Sequence, residues 1–483
     1  MADQYKMFIN GEWVDAQSKE SFVVYDSATA EVFARVARGG TKDAKKAIDA
    51  ARTSFDKGEW QTKTLAERAR YIFKLADAFE QNKEYFASLE AKDVGKPIQY
   101  SLQCDFPFFI DNMRYFAGAC RAMSANVAMN YDGGGINYVK KEPIGVVVAF
   151  IPWNCPLSIL VLKMIPALLM GNSIIIKPSS EALVSILEFI HLTEKVKFPK
   201  GVINLVTGPG ETVGRELGTS SKVDMITYSG NAETGKKIIE EASISFKKLH
   251  LELHGKSPLI VLKDAELNSV AKQAIFNAFG NSGQETTSVA RVFVPKAMQE
   301  RFVKMLVNEA KKLKIGDPAK YETEMGPLTS ARIRDKVEGY ISSGIAEGAK
   351  LAYGGKRLES GIFERGFFIK PTILKNVNSK MNIFHKDIFG PVLSVIPYTN
   401  IEQAIKEANS LQFGSGASVW GKDMQKLNHV SDKLRFGTVW INEHGSLVSE
   451  MPFGRYGKSG TGLDLSVYAF DAYSETKHVY MKS

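Results

Sequence analysis

Apolar residues recur along this chain in two alternating patterns. From about residue 145 onward, short apolar runs alternate with longer stretches in which apolar residues return at helical spacing. Strands that alternate with helices in this way form parallel, doubly wound sheets with ligand sites at the carboxyl ends of the strands. We therefore predict an α/β protein with two such units. The predicted strands are Val146–Phe150, Ser173–Ile176, Val202–Thr207, Met225–Tyr228, Leu249–Leu253, Pro258–Leu262 and Arg291–Pro295.

The first third of the chain and its end show other patterns. Met7–Val14 alternates around an Asn-Gly turn, which predicts a hairpin. Helical spacing predicts one helix from Thr41 to about Trp60 and a second over Leu65–Val94. Val127–Lys141 is typical of an extended hairpin, and Lys477–Met481 of an edge strand. Because exposed edges are usually covered by a partner, we expect a homo-oligomer, either a dimer or a tetramer.

One uncharged segment, Ile144–Leu162, is long enough to cross a bilayer. Gly145, Pro152 and Pro156 interrupt it, however, and such residues break regular structure. The interrupted pattern favours a buried strand, a loop, and a helix from about Pro156 to Met170. We therefore expect no membrane span.

Composition narrows the functional classes. The 483 residues, 44% hydrophobic and 24% charged, are typical of a globular protein of two or three domains. The net charge of +9 comes from scattered lysines, so we expect no nucleic-acid partner. Three cysteines without metal-ligand spacing predict a reducing compartment and no metal site. Since the N-terminus lacks an apolar segment, the predicted location is cytoplasmic.

Two motifs in the middle of the chain carry a resemblance to a known family. Residues 280–291, with Asn281 and Gln284 in register, are similar to Phe-x-Asn-x-Gly-Gln-x-Cys-x-x-x-x-Arg, and His250–Pro258 is similar to Leu-Glu-Leu-Gly-Gly-Lys-x-Pro. Both are motifs of the aldehyde dehydrogenases, and their separation is the one used by that family. The resemblance extends from Phe8 to about Tyr480.

The resemblance implies a fold and a division into domains. A Rossmann-type domain that binds NAD or NADP is expected over residues 1–126 and 142–252. An α/β catalytic domain is expected over residues 253–445. Residues 127–141 and 446–483 are expected to form oligomerisation and bridging segments.

The resemblance also implies three catalytic residues. Glu252 matches the general base, and Asn154 matches the asparagine that stabilises the oxyanion. The position of the nucleophilic cysteine is occupied by Thr286. Since no cysteine lies close to Thr286 in sequence, we expect no neighbouring thiol to replace the missing one.

The cofactor residues implied by the resemblance come from several turns. Lys177 begins a motif similar to the family's Lys-Pro-x-Glu, in which Ser180 replaces the glutamate. Loss of that carboxylate would allow NADP to bind as well as NAD. The adjacent Glu181 could supply a carboxylate instead, so the preference between the two cofactors stays open. Asp387 replaces the family's glutamate, which is longer by one methylene group. The turn at Gly210 is compatible with either a Rossmann fingerprint or a plain glycine-rich turn. The remaining residues expected at the cofactor are Trp153, Gly230, Asn231 and Phe389.

The implied activity is oxidation of a small aldehyde to a carboxylic acid by NAD(P)+. Thr286 is expected to slow it, because an alcohol ionises far less readily than a thiol. Either Glu252 removes the alcohol's proton during attack, or hydride leaves a hydrated aldehyde held by Asn154. The competing hypothesis is a catalytically silent relative that binds cofactor or serves a structural role. His254 and Arg455, where the family has glycine, are further departures near the site.

Overall fold

The computed structural model describes residues 3–123, 126–131, 135–253 and 255–482. The strands in chain order are β1 Asp3–Tyr5, β2 Met7–Ile9, β3 Glu12–Val14, β4 Ser21–Tyr25, β5 Val32–Ala37, β6 Val127–Tyr131, β7 Gly135–Pro143, β8 Val146–Ile151, β9 Ser173–Pro178, β10 Ile203–Leu205, β11 Met225–Gly230, β12 Lys248–Leu253, β13 Ser257–Val261, β14 Val289–Pro295, β15 Lys350–Tyr353, β16 Thr372–Lys375, β17 Val392–Tyr398, β18 Phe413–Gly414, β19 Gly416–Trp420, β20 Thr438–Ile441, β21 Tyr456–Gly457, β22 Gly460–Thr461 and β23 Ser474–Met481.

Helices lie between most of these strands. In chain order they are α1 Thr41–Lys57, α2 Leu65–Glu80, α3 Lys83–Val94, α4 Ile98–Tyr100, α5 Phe106–Ala119, α6 Pro156–Leu169, α7 Val184–Val196, α8 Arg215–Thr219, α9 Ala232–Ser243, α10 Leu267–Phe279, α11 Gln299–Ala310, α12 Ala331–Ala346, α13 Asn382–His385, α14 Ile401–Ala408, α15 Met424–Lys433 and α16 Tyr468–Ala472.

The first large sheet has the order β22-β12-β11-β8-β9-β10-β2-β3, and β12 through β10 run parallel. Its strands bury both faces, since successive side chains point to opposite sides. Val147 and Ile174 pack with α2 and α5–α7, while Val146 and Ile175 pack with α1, α8 and α9. The predicted doubly wound α/β unit is therefore confirmed.

The second large sheet has the order β15-β16-β17-β14-β13-β19-β20. Helices α10 and α11 cover one face, and α12, α14 and α15 cover the other. A third, antiparallel sheet joins β23 to the β7–β6 hairpin. The predicted hairpin near residues 127–141 and the terminal edge strand thus belong to one element. The domain limits expected from the sequence stay a prediction.

Most predicted elements are present, but one prediction is wrong. The helix expected over Leu65–Val94 is two helices, α2 and α3, separated at Asn82. The Asn82 side chain donates to the Ala78 carbonyl at 2.7 Å, and its backbone N–H donates to the Phe79 carbonyl at 2.9 Å. Asparagine competes for backbone groups in this way and so ends α2. Among the described residues, no helix is long and apolar enough to cross a membrane.

Candidate active site

The loop that carries Thr286 follows the C-terminal end of α10. It turns tightly because Asn281 and Ser282 adopt left-handed backbone conformations, with φ of 45° and 55°. Gly283 also has a positive φ, and a Cβ there would lie 2.4 Å from the carbonyl oxygen of Gly390. Only glycine fits that position. The turn places the loop between α10 and β14, against the first large sheet.

Asn154 holds this loop from the end of β8. Its Nδ2 donates to the Gln284 carbonyl at 2.7 Å, and the Asn281 Nδ2 donates to the Asn154 carbonyl at 3.1 Å. The Gln284 side chain is itself fixed, since its Oε1 accepts from the Thr329 N–H at 3.1 Å. The fold therefore brings the predicted oxyanion donor directly against the loop of the predicted nucleophile position.

Thr286 is partly buried and lines a small cavity with Glu285, Lys256 and Asp387. The Lys256 amine is buried without a hydrogen-bond partner among the described atoms. Burial lowers its pKa to about 7, although Asp387 acts in the opposite direction. Asp387 accepts a hydrogen bond from the Lys256 backbone N–H at 3.3 Å. Lys256 and Asp387 also line a much larger cleft, so the small cavity adjoins it.

Glu252 lies in β12, and its carboxylate is buried and paired. Its Oε2 accepts from Ser229 Oγ at 2.8 Å and lies 3.3 Å from Lys163 Nζ, while its Oε1 lies 3.2 Å from Arg455 Nη2. Asp464 contacts the same two cations, at 2.8 Å and 2.7 Å. The residue expected to act as general base is thus held in a buried cluster of two carboxylates and two cations.

Roles for Lys163 and Asp464 were not predicted from the sequence. Lys163 is the one charged residue of α6, and a lysine inside a buried apolar helix needs a compensating anion. Burial alone raises the pKa of Asp464, but Lys163 and Arg455 together lower it to about 2. Arg455, noticed only as a departure from the family motif, is therefore the second cation of this cluster.

The expectation that no thiol replaces the missing one stays a prediction, but one thiol does contact the loop that carries Thr286. Cys155 follows Asn154, and its Sγ lies 2.9 Å from Oε2 of Glu285, although the two residues are 130 positions apart. Burial, reinforced by Glu285, raises the pKa of the Cys155 thiol well above its ordinary value. Desolvation of the Glu285 carboxyl, reinforced by Asp105, raises its pKa to about 7. Distance in sequence hid this contact, which depends on the packing of β8 against the α10–β14 loop.

The larger cleft lies at the carboxyl ends of β8, β9 and β11 and has a volume of about 1810 Å³. We call it the cofactor cleft. Ser180 is exposed and lies outside its lining, whereas Ser179 and Glu181 contribute to it. The Glu181 carboxylate is held by Arg332 Nε at 2.7 Å. The predicted cofactor residues that line the cleft are Trp153, Lys177, Gly210, Gly230, Asn231, Asp387 and Phe389.

The residues of the cofactor cleft fit a dinucleotide. Helix α9 begins at the cleft, where its partial positive charge favours phosphate, and Asn231 caps it by accepting from the Thr234 N–H at 2.9 Å. A Cβ on Gly210 would meet no atom within 4 Å, so the backbone there is open to a close ligand. Lys177 supplies a buried amine, whose pKa is lowered to about 8 by burial.

His254, which the sequence marks as a departure from the family motif, lies outside the described residues. Within the part of the chain that the structure describes, no group of three or more His, Cys, Asp and Glu residues could hold a metal ion.

Comparison with known proteins identifies the family. The model of the "Aldehyde dehydrogenase family" matches residues 13–479. Betaine aldehyde dehydrogenase of Bacillus subtilis is 41% identical over 98% of this chain and 96% of that protein. The NAD+ complex of an aldehyde dehydrogenase from Bacillus cereus is 38% identical, with a TM-score of 0.96 over 99% of this chain and 97% of that one. A betaine aldehyde dehydrogenase from Staphylococcus aureus, solved with NAD+, is 34% identical, with a TM-score of 0.96 over 99% of this chain and 94% of that one. This chain belongs to the aldehyde dehydrogenase family.

Proposed function

We propose that this protein oxidises a small aldehyde to a carboxylic acid, with NAD+ or NADP+ as the hydride acceptor. The observation that carries the proposal is the pair of hydrogen bonds between Asn154 and the loop before Thr286. Asn154 also lines the cofactor cleft. An aldehyde oxygen bound near its amide would therefore lie close both to position 286 and to the cleft.

The cofactor would be held by residues from several turns. Lys177 and the N-terminus of α9 provide positive charge for the phosphates. The nicotinamide end of the cofactor would contact Asp387, Trp153 and Phe389. The rings of Trp153 and Phe389 lie edge to face, with their centroids 6.2 Å apart. A bound nicotinamide would supply the hydride acceptor.

The protein's own residues would then perform the acid–base and charge-stabilising work. Asn154 Nδ2 would donate to the substrate oxygen as negative charge develops there. Thr286 could attack as an alkoxide generated during the reaction, provided that a base accepts its proton. Glu252 could serve only after leaving Arg455 and Lys163, which would leave those cations without one of their anions. The hydrate route needs no attack by Thr286, because Asn154 would orient the hydrate. As hydride leaves, one hydroxyl proton of the hydrate would pass to water.

The proposed substrate class is a small aldehyde of the betaine or aminoaldehyde type. The segments Asn154–Leu157 and Phe109–Gly118 support it, since both resemble members of that type. The Bacillus subtilis relative named above has betaine aldehyde as its substrate by name. The homo-oligomer and the cytoplasmic location expected from the sequence are part of the same proposal.

Cofactor binding and turnover should be measured together on the purified protein. Calorimetric titration with NAD+ and NADP+ would report binding. Formation of NADH or NADPH, followed by absorbance with acetaldehyde, propionaldehyde and betaine aldehyde, would report turnover. Binding with turnover is the expected result. Binding without turnover on any aldehyde would overturn the proposal in favour of a silent relative.

A further inference from the structure

A thiol, a carboxylate and an amide donor meet beside the predicted nucleophile position. Cys155 Sγ lies 2.9 Å from Glu285 Oε2 and 3.5 Å from Asn154 Nδ2. The other oxygen of Glu285 accepts from Asn281 Nδ2 at 2.8 Å, which fixes the carboxylate in place. These are the three kinds of group that addition to an aldehyde requires: a nucleophile, a base within hydrogen-bond reach, and a donor for the oxyanion.

The groups first expected to provide this chemistry are poorly placed or poorly suited. Thr286 offers an alcohol, which is a weak nucleophile unless a base removes its proton. Glu252 is paired with Lys163 and Arg455, each within 3.3 Å. Cys155 and Glu285, by contrast, contact each other directly. Glu285 lines the small cavity beside Thr286, so an aldehyde would approach the pair from that cavity.

We propose that Cys155 is the nucleophile of this enzyme and that Glu285 is its general base. In this step the Cys155 sulfur forms a bond to the aldehyde carbon as the carbonyl π bond breaks. The thiol proton moves to Oε2 of Glu285, and Asn154 Nδ2 stabilises the negative charge on the substrate oxygen. The product is a thiohemiacetal anion, in which the carbon keeps the oxidation level of the aldehyde, so this step consumes no oxidant.

The electrostatics agree with proton transfer during attack. Burial and Glu285 raise the pKa of the Cys155 thiol, so a resident thiolate is disfavoured and the proton must leave as the new bond forms. The base that accepts it works best when its own pKa lies near the working pH. Burial and Asp105 raise the pKa of Glu285 to about 7, while Lys96 acts in the opposite direction. Cys155, Tyr100 and Cys104 are further ionisable groups that interact with Glu285.

The inference rests on the aldehyde oxidation proposed above, but addition to the thiol can be tested without cofactor. Cofactor-free protein would be treated with iodoacetamide at neutral pH, and alkylation of each cysteine would be followed by peptide mass spectrometry. We expect Cys155 to be alkylated, excess acetaldehyde to protect it, and Glu285→Gln to slow the reaction by a factor of roughly 10². Cys120, a buried thiol whose Sγ contacts the Ala117 carbonyl, is the internal control and should be insensitive to both changes.

Turnover provides the second measurement. Cys155→Ser should lower kcat/KM for aldehydes by a factor of about 10² or more, whereas Cys120→Ser should leave it unchanged. Glu285→Asp should retain part of the activity that Glu285→Gln loses. Circular dichroism and cofactor titration would establish that each variant is folded.

The outcomes separate this inference from the proposed function. Wild-type kcat/KM in Cys155→Ser would overturn the dyad while leaving aldehyde oxidation intact. Loss of activity in Thr286→Val, with Cys155 neither alkylated nor protected, would also overturn it and assign the nucleophile to Thr286. If no aldehyde is oxidised by wild type but Cys155 still shows protection by aldehyde and dependence on Glu285, the dyad stands and the proposed oxidation fails.

Discussion

Arg455 and Glu252 form a buried ion pair, with Nη2 of the arginine 3.2 Å from Oε1 of the carboxylate. Arg455 also lies 2.7 Å from Asp464 Oδ2 and donates from Nη1 to the Gly462 carbonyl at 2.8 Å. The side chain of Arg455 is only 1% exposed, so bulk water does not solvate the charges of this pair. A residue that the sequence marks only as a departure from the family motif therefore neutralises carboxylate charge inside the protein.

Arg455→Met should destabilise the fold strongly. Glu252 and Asp464 would then share Lys163 as their remaining cation, and removing one partner of a buried ion pair typically costs about 3–5 kcal/mol. The free energy of unfolding would be measured by urea denaturation. Arg365→Met is the control, because Arg365 pairs with Glu31 on the surface and such pairs contribute at most about 1 kcal/mol. Equal stability losses in the two variants would contradict a role for Arg455 in holding the cluster.

The fold of this chain could be predicted well from its sequence, and the reason is physical. Buried parallel strands such as β8 and β9 are continuous apolar runs, and the helices between them carry a clear period. The boundary at Asn82 was missed because the apolar period continues across it, while the break depends on one side-chain hydrogen bond to Ala78.

The candidate site was predictable in part. Motifs gave the positions of Asn154 and Thr286 because their register is local. The contact between Cys155 and Glu285 could not be predicted, since it joins two elements 130 residues apart and depends on the path of the loop. Similarly, nothing local in the sequence indicates that Glu252 meets Arg455.

The preference between cofactors is the next prediction. We expect NADP+ to bind at least as tightly as NAD+, because Ser180 replaces a ribose-binding carboxylate and Glu181 is engaged by Arg332. Because Ser180 is exposed and lies outside the lining of the cleft, Ser180→Glu should weaken NADP+ selectively by at most about 1 kcal/mol. Calorimetric titration of both cofactors checks this. A clear preference of wild type for NAD+, lost in Glu181→Gln, would instead identify Glu181 as the acceptor of the ribose hydroxyl.

Cofactor affinity should also depend on pH through Lys177. Its pKa is lowered by burial to about 8, so the amine is protonated below that pH and neutral above it. The charged form attracts an anionic dinucleotide, and Kd should therefore rise as pH increases through 8, by a factor of about 10 for the loss of one favourable charge. Titrations at pH 7 and pH 9 test the sign. Lys177→Met should bind more weakly at pH 7 and show a smaller change between the two pH values than wild type. The change that remains would come from Lys256, which also lines the cleft and has a pKa of about 7.

The assembly prediction concerns the third sheet. β23 pairs with β7 over its whole length, which leaves β6 and β23 at the two edges. Strand edges of this kind are usually covered by another chain, so we expect a dimer or tetramer. Light scattering at micromolar concentration should give at least twice the mass of 53.4 kDa. A mass equal to that of one chain would contradict the prediction.

Thr286→Cys should raise the rate of aldehyde oxidation. A thiol at position 286 would lie on the loop that Asn154 holds, and thiols are far better nucleophiles than alcohols near neutral pH. If Thr286 is the native nucleophile, we expect a gain of roughly 10² in kcat/KM, equivalent to about 3 kcal/mol of barrier. If Cys155 is the native nucleophile, a thiol already acts in wild type, and the gain should be seen only where Cys155 has been removed. The assay is formation of NADH or NADPH from a small panel of aldehydes.

The same substitution placed in the Cys155→Ser background gives the sharpest form of this test. If Cys155 is the native nucleophile, Cys155→Ser removes activity and the added Thr286→Cys restores it, because the new thiol remains beside Asn154 and adjacent to Glu285. Adding Glu252→Gln to this variant tests whether Glu252 acts as a base. Unchanged activity would indicate that the ion-paired Glu252 accepts no proton. A large loss of activity would show that the Glu252 carboxylate leaves Arg455 during turnover. A Cys155→Ser/Thr286→Cys variant that binds cofactor yet is no faster than Cys155→Ser on any aldehyde would contradict the prediction. The paired state of Glu252 and the short Asp387 side chain would then be the features that limit the site.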